Sequence, residues 1–226
     1  MSKKNAKSKV SKTKRKKISL SLSPKTENQK LLLKTIGKNK ITICYGPPGV
    51  GKTRLSVLKG FRDFLSNKYE KLIFTRPCIE AEGERLGYLP GNLNDKISPY
   101  MIPIFNFLFK YCDMCNIENY IQENKIMTLP LAYHRGVNFV NSFVVLDEAQ
   151  NTTPGQMKMF LTRLDLNSKI IINGDLGQPD IKGLNGLQDV INKFKNIDGI
   201  GVVKMEEFDI LWDPLVKKIE KIYSNE

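Results

Sequence analysis

The chain has 226 residues, of which 41% are hydrophobic and one is tryptophan, and its formal net charge at pH 7 is +13. This length suffices for a domain with a substantial hydrophobic core, and no apolar run approaches the roughly 20 residues that a membrane-spanning helix needs. Because no apolar segment follows the N-terminal charges, we expect no secretory signal, no membrane association and a cytoplasmic location.

The positive charge is concentrated at the N-terminus. Nine of the 13 surplus charges lie in residues 1–17, which contain no acidic residue, so the remainder of the chain is only mildly basic. We therefore expect residues 1–20 to form a disordered basic tail and residues 21–226 to form one folded domain. The tail is either an arm that binds nucleic-acid phosphates or a solubilising segment, and its composition fits both.

A short helix is predicted ahead of the first strand. Residues 24–38 carry Leu31, Leu32 and Ile36 at helical spacing. Gln29 lies near the start of this helix, and taken alone we interpret it as a solvated polar residue.

The strongest motif follows a β-branched strand at residues 41–45. Residues 46–53 read GPPGVGKT, which matches the phosphate-binding P-loop, and an amphipathic helical pattern follows. Backbone N–H groups of such a loop bind phosphate oxygens, its lysine neutralises the β- and γ-phosphates, and its hydroxyl binds Mg²⁺. The motif predicts a nucleoside triphosphate site formed by Gly46, Pro47, Pro48, Gly49, Val50, Gly51, Lys52 and Thr53. Lys52 is also predicted to be catalytic, and Thr53 is also predicted to be a metal ligand.

The next part of the chain carries fewer signals. Residues 71–76 are predicted as a buried strand ending in Arg76, residues 82–91 as a glycine-rich loop, and residues 98–116 as a helix with an aromatic stripe. The spacing Cys112-x-x-Cys115 lacks a second cysteine pair. We interpret the four cysteines as packing residues rather than as a metal or redox site.

A short strand at residues 126–129 precedes the single histidine, His134. We interpret His134 as a satisfied structural residue rather than as a metal ligand or a base. The neighbouring Arg135 stands beside a glycine and is a candidate for contact with phosphate.

The second strong motif is the apolar run at residues 143–146 that ends in Asp147 and Glu148. Ligands of open α/β sheets bind at the carboxyl ends of the strands, where these two carboxylates would lie. Asp147 would bind Mg²⁺ as Walker-B aspartates do, and Glu148 would act as the general base on the attacking water. Together with the P-loop, the pair predicts hydrolysis of the bound triphosphate.

Polar residues also follow a third buried strand, at residues 169–173. The strand ends in Gly174-Asp175-x-x-Gln178, and Gln178 is a candidate for contact with the γ-phosphate or the attacking water. Between these strands, Thr153, Pro154 and Gln156 form a capping box for a helix that ends near Arg163. A last strand at residues 200–205 and a closing helix after Asp213-Pro214 complete the prediction.

Strands that alternate with helices predict an α/β fold with a mostly parallel central sheet and helices on both faces. The motifs together resemble the PhoH family, P-loop ATPases similar to one motor domain of superfamily-one helicases. The resemblance covers residues 26–223, and its most specific part is the phrase Asp147-Glu148-Ala149-Gln150-Asn151-Thr152-Thr153 with the residues after it. Further matches are Glu27-Asn28-Gln29, Thr75-Arg76-Pro77, Leu86-Gly87-Tyr88-Leu89-Pro90-Gly91, Pro130-Leu131-Ala132-Tyr133-His134-Arg135-Gly136, and Gly174-Asp175 with Gln178.

The resemblance implies a three-layer, RecA-like P-loop fold that uses ATP and Mg²⁺. It implies that Gln29 recognises adenine, that Asp147 binds the metal and Glu148 activates water, and that Gln178 senses the γ-phosphate. It further implies a homo-oligomeric ring, often hexameric, with a nucleic acid as its partner, and RNA is favoured over DNA.

The chain departs from the family pattern near its C-terminus. Leu211-Trp212 stands where such proteins commonly have Val-Arg, so an arginine that would complete a neighbour's site is missing. The segment formed by residues 179–187 is also shorter than the corresponding segment of many family members. The remaining candidates for a trans-acting arginine are Arg76, Arg135 and Arg163.

Three functions fit these patterns. The first is a Mg²⁺-dependent ATPase coupled to RNA or single-stranded nucleic acid, with possible helicase-type activity. A single motor domain of this kind would work as an oligomer, since one subunit's arginine has to reach the next subunit's phosphates. The alternatives are an ATP-gated nucleic-acid-binding module with little turnover and, less favoured by the acidic pair, a small-molecule kinase.

Overall fold

The computed structural model describes residues 20–77, 102–111, 114–181 and 183–223. Residues 1–19 of the predicted basic tail and the predicted glycine-rich loop at 82–91 lie outside the described residues. The same holds for Cys112 and for the side chain of Cys115. No helix in the described ranges has the length and apolar character needed to cross a membrane.

Six strands form one sheet in which every neighbouring pair is parallel. The spatial order is β3-β2-β4-β5-β1-β6. The strand bounds are β1 (Ile41–Tyr45), β2 (Lys71–Arg76), β3 (Ile126–Pro130), β4 (Ser142–Leu146), β5 (Lys169–Gly174) and β6 (Ile200–Lys204). The last strand therefore ends one residue earlier than predicted.

Helices connect these strands in the described part of the chain. They are α1 (Glu27–Lys38), α2 (Lys52–Leu65), α3 (described over residues 102–109), α4 (Met114–Gln122), α5 (Pro154–Leu161), α6 (Gly186–Lys193) and α7 (Pro214–Tyr223). Within the described ranges, single-turn 3₁₀ helices occur at Leu131–His134, Ala149–Asn151 and Glu207–Asp209. Thr153 accepts a hydrogen bond from the Gln156 N–H and completes the predicted capping box of α5.

The sheet lies between two hydrophobic cores because alternate strand residues point to opposite faces. Residues of α1, α2, α3 and α4 pack on one face with Cys44 of β1. Residues of α5 and α6 pack on the other face with Ile41 and Ile43 of the same strand. The result is the three-layer P-loop architecture that was predicted, with a sheet that is entirely parallel.

The carboxyl ends of the six parallel strands meet at one edge of the sheet. The P-loop follows β1, Arg76 ends β2, Asp147 follows β4, and Asp175 follows β5. One strand, β5, separates the P-loop strand from the strand that precedes Asp147, as in RecA-like folds. The loops that carry the predicted chemistry therefore converge at this edge.

Candidate functional site

The P-loop owes its path to backbone angles that side chains disfavour. Gly49 and Gly51 have φ values of 78° and 88°, in the left-handed region. A Cβ atom at Gly51 would also lie 3.3 Å from the Gln29 Nε2 atom. The glycines thus permit both the turn and the close approach of α1.

Lys52 is buried at the start of α2 and folds back onto its own loop. Its Nζ donates to the backbone oxygens of Gly46 (2.6 Å) and Pro47 (2.7 Å). Burial lowers the pKa of the Lys52 ammonium below its ordinary value, although nearby acidic groups act in the opposite direction. The amine is therefore held at the loop by carbonyl groups, which are weaker partners than phosphate oxygens.

Asp147 is almost completely buried and bonds to two other parts of the site. The Thr53 hydroxyl donates to its Oδ1 at 2.8 Å, and the Arg76 guanidinium donates to its Oδ2 from Nη2 (2.5 Å) and Nε (3.2 Å). A hydroxyl and a carboxylate this close supply the hard oxygen ligands that Mg²⁺ prefers. The residues that were predicted to bind metal, Thr53 and Asp147, therefore fit the ion.

Glu148 occupies the left-handed region at φ 57°, which is uncommon for a residue with a side chain and is typical of functional sites. Its side chain is 49% exposed, so water reaches the carboxylate. Gln150 donates from Nε2 to the Glu148 Oε2 at 2.9 Å and accepts at Oε1 from the Asp175 N–H, also at 2.9 Å. Gln150 thus links Glu148 to the loop after β5.

Sequence reasoning gave Gln150 no role, although it lies inside the phrase that carried the family resemblance. Its neighbour Asn151 exchanges two hydrogen bonds with Asp180, at 2.7 and 2.9 Å, and these fix the loop after β5. Gln178 lies on this fixed loop with an exposed side chain. Its predicted contact with the γ-phosphate stays a prediction.

The interpretation of Gln29 as a solvated residue is wrong. Its side chain is fully buried, donates from Nε2 to the Val50 carbonyl oxygen (2.9 Å), and accepts at Oε1 from the Lys25 N–H (2.7 Å). The reason is tertiary, because the start of α1 packs directly against the P-loop. Gln29 therefore supports the loop, and its predicted contact with adenine stays a prediction.

Residues 205–213, here called the C-terminal strap, lead from β6 across the start of α1 to the P-loop. Asp209 is buried and accepts hydrogen bonds from the Thr26 hydroxyl, from Asn28 Nδ2 (2.8 Å) and from the Glu206 N–H (2.8 Å). The Leu211 N–H donates to the Gly49 carbonyl oxygen at 3.3 Å. The strap was missed because nothing near Asp209 in the sequence marks it as a buried residue.

Trp212 lies against its own P-loop. A Cβ atom added to Gly49 would stand 2.3 Å from the Cε2 and Nε1 atoms of the indole, so the ring packs directly on the glycine backbone. Trp212 remains half-buried. The position where the family resemblance leads us to expect arginine therefore lies beside the P-loop of the same chain.

The three candidate arginines lie in different places. Arg76 forms an ion pair with Asp147 of the same chain. Arg163 follows α5 at the amino-terminal edge of the sheet, where its backbone oxygen accepts from the Phe139 N–H at 2.8 Å. Arg135 is exposed. Thus only Arg76 belongs to the cluster of Lys52, Thr53, Asp147 and Glu148.

His134 is a structural residue, as predicted, but it is not a satisfied one. It is fully buried between the rings of Phe139 and Phe160, and neither ring nitrogen has a hydrogen-bond partner among the residues that the structure describes. Burial lowers the pKa of His134 to about 4. The imidazole is therefore neutral at pH 7 and takes no part in the site.

The comparisons with known proteins agree with this geometry. Residues 21–224 match the family model described as PhoH-like protein. A PhoH-like protein of Synechocystis is 40% identical over 201 residues, which cover 88% of this chain and 61% of that protein. A PhoH-like protein of Bacillus subtilis is 41% identical over 208 residues, which cover 91% of this chain and 65% of that protein. Protein PhoH of Escherichia coli K12 is 35% identical over 204 residues, which cover 88% of this chain and 57% of that protein.

This chain therefore spans about 60% of the length of the curated relatives it matches. Among solved structures, the helicase domain of Hef from Pyrococcus furiosus matches with a TM-score of 0.47 and 10% identity, covering 80% of this chain and 38% of that one. A family match across nearly all of the folded part, together with relatives at about 40% identity, shows that the chain belongs to the PhoH-like protein family.

Proposed function

We propose that this protein binds ATP with Mg²⁺ at the P-loop, hydrolyses it, and couples the hydrolysis to RNA or another single-stranded nucleic acid. The observation that carries the proposal is the convergence of Lys52, Thr53, Asp147 and Glu148 at one edge of the sheet. Ammonium, hydroxyl and two carboxylates are the groups that phosphoryl transfer to water requires.

The binding residues have partners that a nucleotide would replace. Lys52 would exchange the Gly46 and Pro47 carbonyl oxygens for phosphate oxygens, which are charged and bind an ammonium more strongly. Thr53 and Asp147 would hold Mg²⁺, which supplies positive charge for the phosphates in the transition state. Arg76 would have to give up part of its ion pair with Asp147.

Glu148 is the proposed general base. Its exposed carboxylate accepts a hydrogen bond from Gln150, which fixes its direction without neutralising it. Because Gln150 also binds the Asp175 N–H, a shift of the loop after β5 would move the base. Gln178 on that loop is the proposed sensor of the γ-phosphate.

The test is the release of phosphate from ATP, measured with and without single-stranded RNA. We expect Glu148→Gln to bind ATP as the wild type does and to release phosphate about 10²–10⁴-fold more slowly. Glu123→Gln is the matched control, since this exposed glutamate precedes β3 at the opposite edge of the sheet. Wild-type turnover in Glu148→Gln would assign the base to another residue.

Two observations favour a second function. The Arg76–Asp147 ion pair engages the carboxylate that Mg²⁺ needs, and Trp212 replaces a family arginine, so an ATP-gated nucleic-acid switch with little turnover also fits. The same assay separates the two functions. Release of phosphate that RNA stimulates supports the ATPase, whereas tight ATP binding without release supports the switch.

We further propose a homo-oligomeric ring, a hexamer by family resemblance. The apolar stripe of α7 is left on the surface, with Leu215, Val216, Ile219 and Ile222 between 43% and 64% exposed. An exposed stripe at helical spacing is typical of a surface that another subunit covers. A second copy of the chain is the proposed partner.

A further inference from the structure

The strand order sets the direction in which a triphosphate would lie along the P-loop. Thr53, Asp147 and Glu148 mark the side of β1 that faces β5 and β4. The γ-phosphate must point to that side, because the proposed metal ligands and base are there. The nucleoside must therefore leave the loop on the other side of β1, where β6 pairs.

The strap after β6 brings an aromatic ring to that side. The indole of Trp212 packs on Gly49, and the neighbouring Leu211 N–H donates to the Gly49 carbonyl oxygen at 3.3 Å. Because Gly49 has no side chain, the ring comes as close to the loop as its backbone allows. Trp212 is also half-buried, so part of the indole remains accessible to a ligand.

The strap is held in place independently of any ligand. Asp209 accepts three hydrogen bonds, two of them from Thr26 and Asn28 at the start of α1. The same turn of α1 carries Gln29, whose amide donates to Val50 of the P-loop. The strap is thus anchored on α1 and carries the ring onto Gly49 of the P-loop, where a base leaving the loop on the β6 side would meet it.

We propose that Trp212 is the base-binding residue of this site, and that it stacks on the purine ring of the bound nucleoside triphosphate. The inference rests on the proposed binding of a triphosphate at the P-loop, and it adds the residue that recognises the base. Every base has a π face, so stacking on an indole tolerates different bases and favours the larger purine rings. The protein should therefore bind ATP and GTP more tightly than UTP.

The single tryptophan of the chain makes this inference directly measurable. Titration of the wild-type protein with ATP in the presence of Mg²⁺ should change the tryptophan emission, whereas tripolyphosphate should bind without the same change. Tripolyphosphate fills the phosphate loop but has no base. An identical emission change with both ligands would mean that the emission of Trp212 responds to phosphate binding at the loop and not to contact with the base.

Variants test the contact through affinity, measured calorimetrically. Trp212→Ala should weaken ATP binding about 10-fold or more and leave tripolyphosphate binding unchanged, and Trp212→Phe should restore most of the ATP affinity. Phe208→Ala is the matched control, because this strap residue is 70% exposed.

Each other outcome has a distinct meaning. In Trp212→Ala, the affinities for ATP and tripolyphosphate could fall equally while the preference for ATP and GTP over UTP stays unchanged. Trp212 would then only support the loop, and the proposal would be overturned. Unchanged ATP affinity would exclude the stacking contact while leaving the proposed function intact. If the wild type bound neither ligand, the proposed function itself would be wrong.

Discussion

Asp147 joins three parts of the site at the scale of a single residue. It follows β4, accepts from Thr53 of the P-loop, and forms an ion pair with Arg76 of β2. Its side chain is only 3% exposed, whereas that of Arg76 is 19% exposed. A carboxylate this buried depends on its partners, because loss of one leaves a charge that water cannot solvate.

Removal of Arg76 should therefore destabilise the protein in the absence of nucleotide. We expect Arg76→Ala to lower the free energy of unfolding by about 3 kcal/mol, since it leaves Asp147 buried and unpaired. Urea denaturation in the presence of a chelator measures this change. Addition of Mg²⁺ should restore part of the loss, because the ion binds the carboxylate in the folded state only.

The double variant Arg76→Ala with Asp147→Asn is the control for this interpretation. Without the carboxylate, loss of the guanidinium should cost much less than in the single variant, and Mg²⁺ should no longer help. If the effects of the two substitutions on the free energy of unfolding were additive, the loss of stability in Arg76→Ala would have a cause other than the ion pair.

At the scale of an element, the strap shows how residues distant in sequence form one surface. Its buried Asp209 binds the start of α1, which lies more than 180 residues earlier in the chain. The strap thereby closes the side of the P-loop that faces β6. Its hold on α1 is a hydrogen-bond network around one carboxylate, and such networks weaken sharply when one member is changed.

Asp209→Asn should loosen this network and lower the free energy of unfolding by about 1–3 kcal/mol. Burial tends to raise the pKa of Asp209, but the bonds from Glu206 N–H, Thr26 and Asn28 outweigh it and the pKa is lowered. Because the folded-state pKa lies below the unfolded value, this stabilisation is present above the unfolded pKa and is lost as pH falls through the folded one.

Urea denaturation of both proteins from pH 7 down to pH 3 measures the effect. The wild type should keep its advantage over Asp209→Asn above the pKa of an unfolded aspartate, about 3.9, and lose it progressively as the pH falls below that value. A constant difference between the two proteins across this range would show that the charge of Asp209 does not contribute.

The elements themselves could be predicted because their signals are local. The strands are unbroken apolar runs, the P-loop is a fixed spacing of glycines and a lysine, and Thr153 with Gln156 forms a cap within four residues. The surroundings of the site could not be predicted in this way. Gln29 donates a hydrogen bond to the Val50 carbonyl oxygen, and Trp212 packs on Gly49. Both contacts join segments that only the folded sheet brings together.

The same distinction explains the misjudged polar residues. Gln150 stands two residues after Glu148, but its second partner is on the loop after β5. Phe139 and Phe160 surround His134, which has no hydrogen-bond partner within the described ranges, and no local pattern indicates this environment. Residue types at fixed spacing therefore predicted which side chains meet at one edge of the sheet, and tertiary packing decided which residues support them.

At the scale of the whole molecule, the described residues form one domain around a single sheet. Its closing helix α7 exposes a stripe of leucine, isoleucine and valine side chains. We propose that a second copy of the chain covers this stripe, because a single motor domain lacks the neighbour that completes a hydrolytic site. The oligomeric state and the turnover should then depend on the same surface.

Ile219→Asp should therefore reduce the assembly to monomers and lower ATP turnover per subunit by about 10³-fold, if a neighbour's arginine completes the site. Light scattering during gel filtration gives the mass, and release of phosphate gives the turnover. Ile197→Asp is the matched control, because Ile197 is 45% exposed against 46% for Ile219 and lies outside α7, in the connection between α6 and β6. A wild-type protein that is monomeric with ATP and RNA yet fully active would contradict the assembly, as would an Ile219→Asp variant that keeps the wild-type mass.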